Sequence, residues 1–232
     1  MEVARAGDVN VIAATGLHQA AHYDPDVLER VLGRLDEVFV EELTKGMHGG
    51  AFPRAGMIKV AGGFHGLDEH ARTVMAAAAR AHHATGAPIG VHHEHGTASL
   101  DVLDLLCGRY DVPPERVILG HLNRFPDARV HMEAGEAGAF LAFDGPSPAN
   151  HATDWRLFEV LSALVDAGHE DRLLLGGDTT TAAARVSTGG GPGMPYLLRV
   201  LRPRIRRDLG DVVAEKIFVT NPARAFAVDW RS

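Results

Sequence analysis

An α/β fold built on a parallel, barrel-forming sheet is the class this sequence predicts, and three observations predict it. Short apolar runs of four to six residues recur along the 232-residue chain, at 9–14, 57–61, 89–92, 117–121, 139–143 and 173–176. They lack the polar–apolar alternation of a strand with one wet face, so they read as buried parallel strands. Helical patterns separate them, and strand–helix alternation means a parallel sheet covered by helices. Four of the runs also carry or lead into a group able to hold a metal ion: Lys59, His92, His121 and Asp178. Polar side chains gathered at strand C-termini mark the active face of a TIM-type (β/α) barrel. About six βα units are present where a closed barrel has eight.

The elements follow in order. Residues 2–6 look like the tail of a helix before the first strand at 9–14. Asp24 and Pro25 supply an N-cap and a first-turn proline, and Val27, Leu28, Val31, Leu35, Val38 and Phe39 share one helical face. After the 57–61 strand, Asp68 opens a helix through Val74, Met75 and Ala78 that Gly86 closes. Ser99, beyond the 89–92 strand, opens another with Leu100, Leu103 and Leu106. Strands at 117–121 and 139–143 precede a helix capped by Thr153 or Asp154, carrying Leu157, Val160, Leu161 and Leu164 and stopped by Gly168. The last strand, 173–176, runs into Asp178. A glycine-rich stretch, 189–193, falls where a mobile loop over the site belongs, and it lacks the Lys-Ser/Thr ending of a phosphate-binding loop. No Pro/Gly/Ser linker divides the chain, so 1–232 reads as a single domain.

Composition narrows the function classes. A hydrophobic fraction of 46% supports a substantial core, and 23% charged residues suits a soluble globule. Net charge is −7, and the densest basic stretch, five arginines within 199–207, is followed by Asp208 and Asp211. That is a solvated helix face rather than a nucleic-acid surface. No run is long enough to span a bilayer, and the start lacks the apolar stretch of a signal peptide. The single cysteine, Cys107, rules out an internal disulfide and suits a reducing cytoplasm; its apolar helical setting makes it buried filler rather than a nucleophile.

The chemistry lies at the strand ends. Lys59 sits inside an apolar strand, where burial lowers an amine's pKa and frees it for a Schiff base or for a carbamate that bridges two metals. Snorkelling to the rim is the bland alternative. His92 and His121 each end a strand about one βα unit apart, which brings two imidazoles to the same rim. Within His92-His93-Glu94-His95, His92 is favoured as the ligand, since His93 would point to the opposite face. Asp178 follows Gly176-Gly177 and can bind a metal while taking a proton from water. Capping the segment that starts at Thr179 is its alternative role.

These residues match a known pattern. The chain resembles the phosphotriesterase-like branch of the amidohydrolase superfamily, through Ala13-Ala14-Thr15-Gly16, Ile58-Lys59-Val60-Ala61, Ala84-Thr85-Gly86-Ala87-Pro88 leading to His92, Gly120-His121, Gly177-Asp178 and Thr220-Asn221-Pro222-Ala223-Arg224. The resemblance covers essentially the whole chain, in order. It implies a binuclear centre, two zinc ions with manganese or cobalt as substitutes, at the mouth of a (β/α)8 barrel. Lys59 would be carbamylated by carbon dioxide and bridge both metals. His92 and His121 would hold the exposed metal, and Asp178 would hold the buried one and shuttle the proton. A bridging hydroxide would attack a lactone or other ester. Arg124 falls where the family places a pocket arginine, although Asn123 stands where an aspartate is common. The family's N-terminal His-x-His ligands are missing, and His18 and His22 are spaced wrongly to supply them. About the first two strands of the barrel are therefore expected to be absent from this chain.

The expectation is thus a metal-dependent hydrolase of lactones or related esters, a phosphorylated sugar lactone among them. The alternative is a truncated, impaired barrel that binds metal or ligand or only self-associates. An aldolase-like Schiff base on Lys59 is a third, weaker expectation. Opening a barrel exposes two strand edges, so the short form is expected to aggregate, to pair with a second copy as a homodimer, or to be completed by another segment. No nucleic-acid or membrane partner is expected.

Overall fold

The computed structural model describes residues 2–146 and 151–231. Six strands pair in parallel, in the order of the sequence: β1 (Ala14–Leu17), β2 (Met57–Ala61), β3 (Ile89–His92), β4 (Val117–Leu119), β5 (Phe140–Phe143) and β6 (Leu173–Leu175). Only β1 and β6 have a single neighbour, and no described pairing joins them.

The helices that cover the sheet begin and end where local chemistry favours it. After α1 (Glu2–Gly7), Asp24 caps α2 (Pro25–Leu32), its carboxylate accepting from the Asp26 amide. The face expected to run unbroken from Val27 to Phe39 is divided. Gly33 caps the first helix and Arg34, at φ −139° and ψ 25°, leaves helical geometry before α3 (Leu35–Thr44) resumes. Asp68 accepts from the Ala71 amide to cap α4 (Glu69–Thr85), and Gly86 closes it in the left-handed conformation, both as expected. Ser99 does open α5 (Ser99–Leu103), but the cap position is Ala98, held left-handed without a side-chain cap. Next come α6 (Ala128–Glu136) and α7 (Leu157–Asp166). The latter starts later than a cap at Thr153 or Asp154 would give, because a 3₁₀ turn occupies 151–156.

Alternating side chains on the strands divide the molecule. Ile58, Val60, Ile89, Val91, Val117, Leu119, Leu141 and Phe143 join Phe39, Leu43, Val74, Met75 and Leu161 in the main core between sheet and helices. The opposite face carries Lys59, Gly90, Ile118 and Phe140 in one row, paired Cα to Cα across four strands. His92 lies one pleat further along on that same inner face. Buried Asn221 ties the C-terminal segment to the sheet by donating to the Glu170 and Leu173 carbonyls.

The first strand corrects the sequence expectation. Residues 9–13 pair with no strand, and Val9, Val11 and Ile12 are 52%, 52% and 45% exposed. The strand instead runs through Thr15 and Gly16, whose φ of +139° brings β1 so near β2 that a Cβ would fall 1.8 Å from the Lys59 carbonyl oxygen. Only glycine fits there.

Candidate active site

One cleft of about 690 Å³ opens at the C-terminal ends of the strands, lined by His18, His22, Lys59, His92, Glu94, His121, Arg124, Asp178 and Thr180. The five residues expected to carry the chemistry, Lys59, His92, His121, Asp178 and Arg124, all face it.

Lys59 extends into the cleft beside two glycines of the neighbouring segments, Gly90 and Gly120. A Cβ on Gly90 would lie 3.5 Å from its Cδ, and one on Gly120 would lie 3.5 Å from its Nζ. Burial pulls its amine below the usual lysine range, and the nearby Asp144 and Asp178 carboxylates oppose that only in part. His92 ends β3 with its ring 4.6 Å from that of His121, and its Nε2 lies 3.2 Å from Glu94 Oε2. Burial first, and His121 next, push its pKa down to about 4. At neutral pH the ring is uncharged and one of its nitrogens carries a lone pair that a metal can take.

His121 follows β4 in a left-handed conformation, φ +64°. Its amide donates to Asp144 Oδ2 at 2.8 Å, and its Nδ1 lies 2.5 Å from the same oxygen, close but not aligned as a hydrogen bond. Asn123 accepts from the Asp144 amide through Oδ1 at 3.0 Å, so residue 123 fixes the carboxylate that fixes His121. Asp178 lies three residues past β6, at φ +40°, and receives Arg124 Nη2 at 2.6 Å on Oδ2. It caps no helix. His93 is fully buried away from the cleft, with Nδ1 3.1 Å from the Gly120 carbonyl, so the neighbouring pair point in opposite directions.

The matching family model is that of the phosphotriesterase family, over residues 1–226. The chain belongs to the phosphotriesterase family. It is 29% identical to the phosphotriesterase homology protein of Escherichia coli strain K12, over 97% of this chain and 77% of that protein. A phospho-furanose lactonase of Mycoplasmopsis synoviae is 31% identical, over 95% of this chain and 67% of its own length. Among solved structures, a lactonase from Listeria monocytogenes matches with a TM-score of 0.89 at 26% identity, covering 98% of this chain and 76% of that one. The six parallel strands are accordingly an arc of the family's α/β barrel.

Several residues of this phosphotriesterase-family cleft escape sequence reasoning. His18 and His22 line it although their spacing excludes the expected His-x-His pair; the rings of His18 and His92 are 4.5 Å apart, and those of His18 and His22 are 4.6 Å apart. Glu94 lines it too, tied to Gln19 Nε2 at 3.1 Å. Asp144 follows β5 by one residue, the position that singled out the other candidates. The glycine-rich stretch 189–193 does not line the cleft, and Arg185 donates to the Thr179 and Thr180 carbonyls, bracing the rim from outside.

A divalent ion fits the donors present. Two imidazoles and the Asp178 carboxylate are zinc-type donors, and the Lys59 amine beside them is held below its usual range by burial. The buried Nδ1 of His18 also has no hydrogen-bond partner. Among the described residues, no three His, Cys, Asp or Glu side chains are already arranged to hold an ion.

Proposed function

We propose that this chain hydrolyses a lactone or related carboxylic ester, a phosphorylated sugar lactone being the favoured class, with divalent metal held by Lys59, His92, His121 and Asp178. The single observation that carries the reading is that these four side chains, from β2, the end of β3 and the segments just after β4 and β6, line one cleft together. The names of its relatives support the substrate class. Two are lactonases, one of them for phospho-furanose lactones, and the Escherichia coli homology protein was crystallised with phosphate in its active site.

The chain's own groups have distinct tasks. His92, uncharged at neutral pH, offers a lone pair rather than a proton. Lys59, its ammonium form disfavoured by burial, adds to carbon dioxide and releases a proton, giving an anionic carbamate that is a better ligand than an amine. Asp144 fixes the orientation of His121. Asp178 accepts the proton of the attacking water, and Arg124 holds that carboxylate in place. When bound, the metal, zinc or in its place manganese or cobalt, supplies an acidified water and Lewis-acid polarisation of the ester carbonyl.

A second reading, a barrel arc that binds metal or ligand without turnover, is favoured by the engagement of Asp178 with Arg124. A panel of sugar lactones, phosphorylated furanose lactones and aryl phosphotriesters, assayed with added zinc or manganese, separates the two. Lactone turnover that falls at least about a hundredfold in Lys59→Met, the order of cost of losing one catalytic group, is the expected result. No turnover of any substrate by metal-loaded protein defeats the first reading.

A further inference from the structure

We infer that His18 is a third imidazole ligand, joining His92 and His121 on one divalent ion at the open side of the cleft. The inference rests on the metal-binding part of the function proposed above and adds a residue to it.

Spacing is the first argument. A ring nitrogen sits about 2.0–2.1 Å from zinc, which puts a ring centroid about 3.2 Å from the ion, so two imidazoles at about 90–110° around it have centroids about 4.5–5.2 Å apart. The observed separations are 4.5 Å for His18 with His92 and 4.6 Å for His92 with His121. The three rings are not already arranged to hold an ion, so binding requires their side chains to turn toward a common point.

The second argument is an unmet need. His18 Nδ1 is buried without a hydrogen-bond partner, and an orphaned polar atom in such a place costs roughly 1–3 kcal/mol. A cation accepting its lone pair removes that cost.

Preorganisation is the third. The His18 amide donates to the Tyr23 hydroxyl at 2.9 Å, and its carbonyl lies 2.8 Å from His70 Nε2. The next residue, Gln19, donates to the Gly62 carbonyl at 3.0 Å and to Glu94 Oε2 at 3.1 Å. The backbone of a residue outside any strand is therefore pinned on both sides, as a ligand's must be. Of the ring nitrogens on its neighbours, His121 Nδ1 faces Asp144 and His92 Nε2 faces Glu94, which leaves His121 Nε2 and His92 Nδ1 for the ion.

The competing account makes His18 an aromatic wall packed at a tilt of 60° against His92. Two measurements on the full chain separate the accounts. Pulsed EPR of the copper(II)-loaded wild type counts coordinated imidazoles directly, and three are expected. Cobalt(II) affinity, by competition with a chelator, is expected to fall at least about tenfold in His18→Phe, which keeps the wall and removes the donor. Two imidazoles in the wild type, or unchanged cobalt affinity and visible spectrum in His18→Phe, overturns the inference while the proposed hydrolase stands. Failure of the wild type to take up either ion overturns both. Should His18→Phe not fold, the imidazole count on the wild type decides alone.

Discussion

At the scale of single residues, the Arg124–Asp178 pair shows how the cleft manages charge without a metal. The side chains are only 11% and 14% exposed, and they meet at 2.6 Å. Removing one partner of such a pair leaves a desolvated charge alone, which costs about 3 kcal/mol or more. Arg124→Met is therefore expected to destabilise the metal-free protein by about that amount. Saturating zinc should recover most of the loss, because a cation then neutralises Asp178. Urea unfolding with and without chelator measures both, and a variant as stable as the parent in chelator would show that the pair carries no such burden. His92, His121 and Asp178 are legible in the sequence because each lies at or just beyond the C-terminal end of an apolar run, and Lys59 because it is a charged residue inside one. His18 obeys the same rule, directly after Leu17, but it is hidden. The apolar run at 9–14 draws the first strand several residues too early, so His18 falls in a presumed loop. Gly16 lies beyond that run, yet it is what lets β1 approach β2.

At the scale of elements, strands β2 to β6 are legible nearly to their ends, since a buried parallel strand has an apolar run and little else. Helix breaks are not. The periodicity of 24–39 runs through the departure at Arg34, and only Gly33, which caps α2, marks it. The element with the clearest measurable consequence is α6. Its His131 is completely buried, edge-on to Phe143 of β5 with ring centroids 5.5 Å apart. Burial, partly offset by the Phe125 and Leu122 carbonyls, pushes its pKa down from 6.5 to about 4. The unfolded chain therefore binds a proton below pH 6.5 that the folded chain refuses until about pH 4. The contribution to stability is complete above pH 6.5 and is lost as pH falls through that window. At about 1.4 kcal/mol per pH unit, the loss from this one ring between pH 7.5 and pH 5 is about 2 kcal/mol. His131→Leu should remove that part of the acid sensitivity, so its stability difference between the two pH values should be smaller than the parent's by about 2 kcal/mol. Chemical unfolding at both pH values tests this, and equal pH dependence in parent and variant would place His131's proton elsewhere.

At the scale of the whole molecule, the dominant feature is a parallel sheet whose edge strands, β1 and β6, each pair with one strand only among the described residues. A closed barrel has none, and a bare strand edge is a template for another chain. Next to β1 the problem is compounded by Val9, Val11 and Ile12, three apolar side chains 45–52% exposed on a segment paired with no strand. About half the surface of each is therefore still open to water, and burying it against a second copy would stabilise association at roughly 25 cal/mol for each Å² covered. The Lys and Arg residues commonly placed along an edge to discourage pairing are absent from 9–17. The chain is therefore expected to self-associate through the β1 side, with its weight-average mass rising with concentration in sedimentation velocity. Val11→Lys together with Ile12→Lys places two like charges on that face and should shift the distribution toward monomer. Because neither residue lines the cleft, metal uptake should be unchanged, which separates the effect from unfolding. A parent protein that stays monomeric over a hundredfold range of concentration would mean that the two edges are satisfied within one chain.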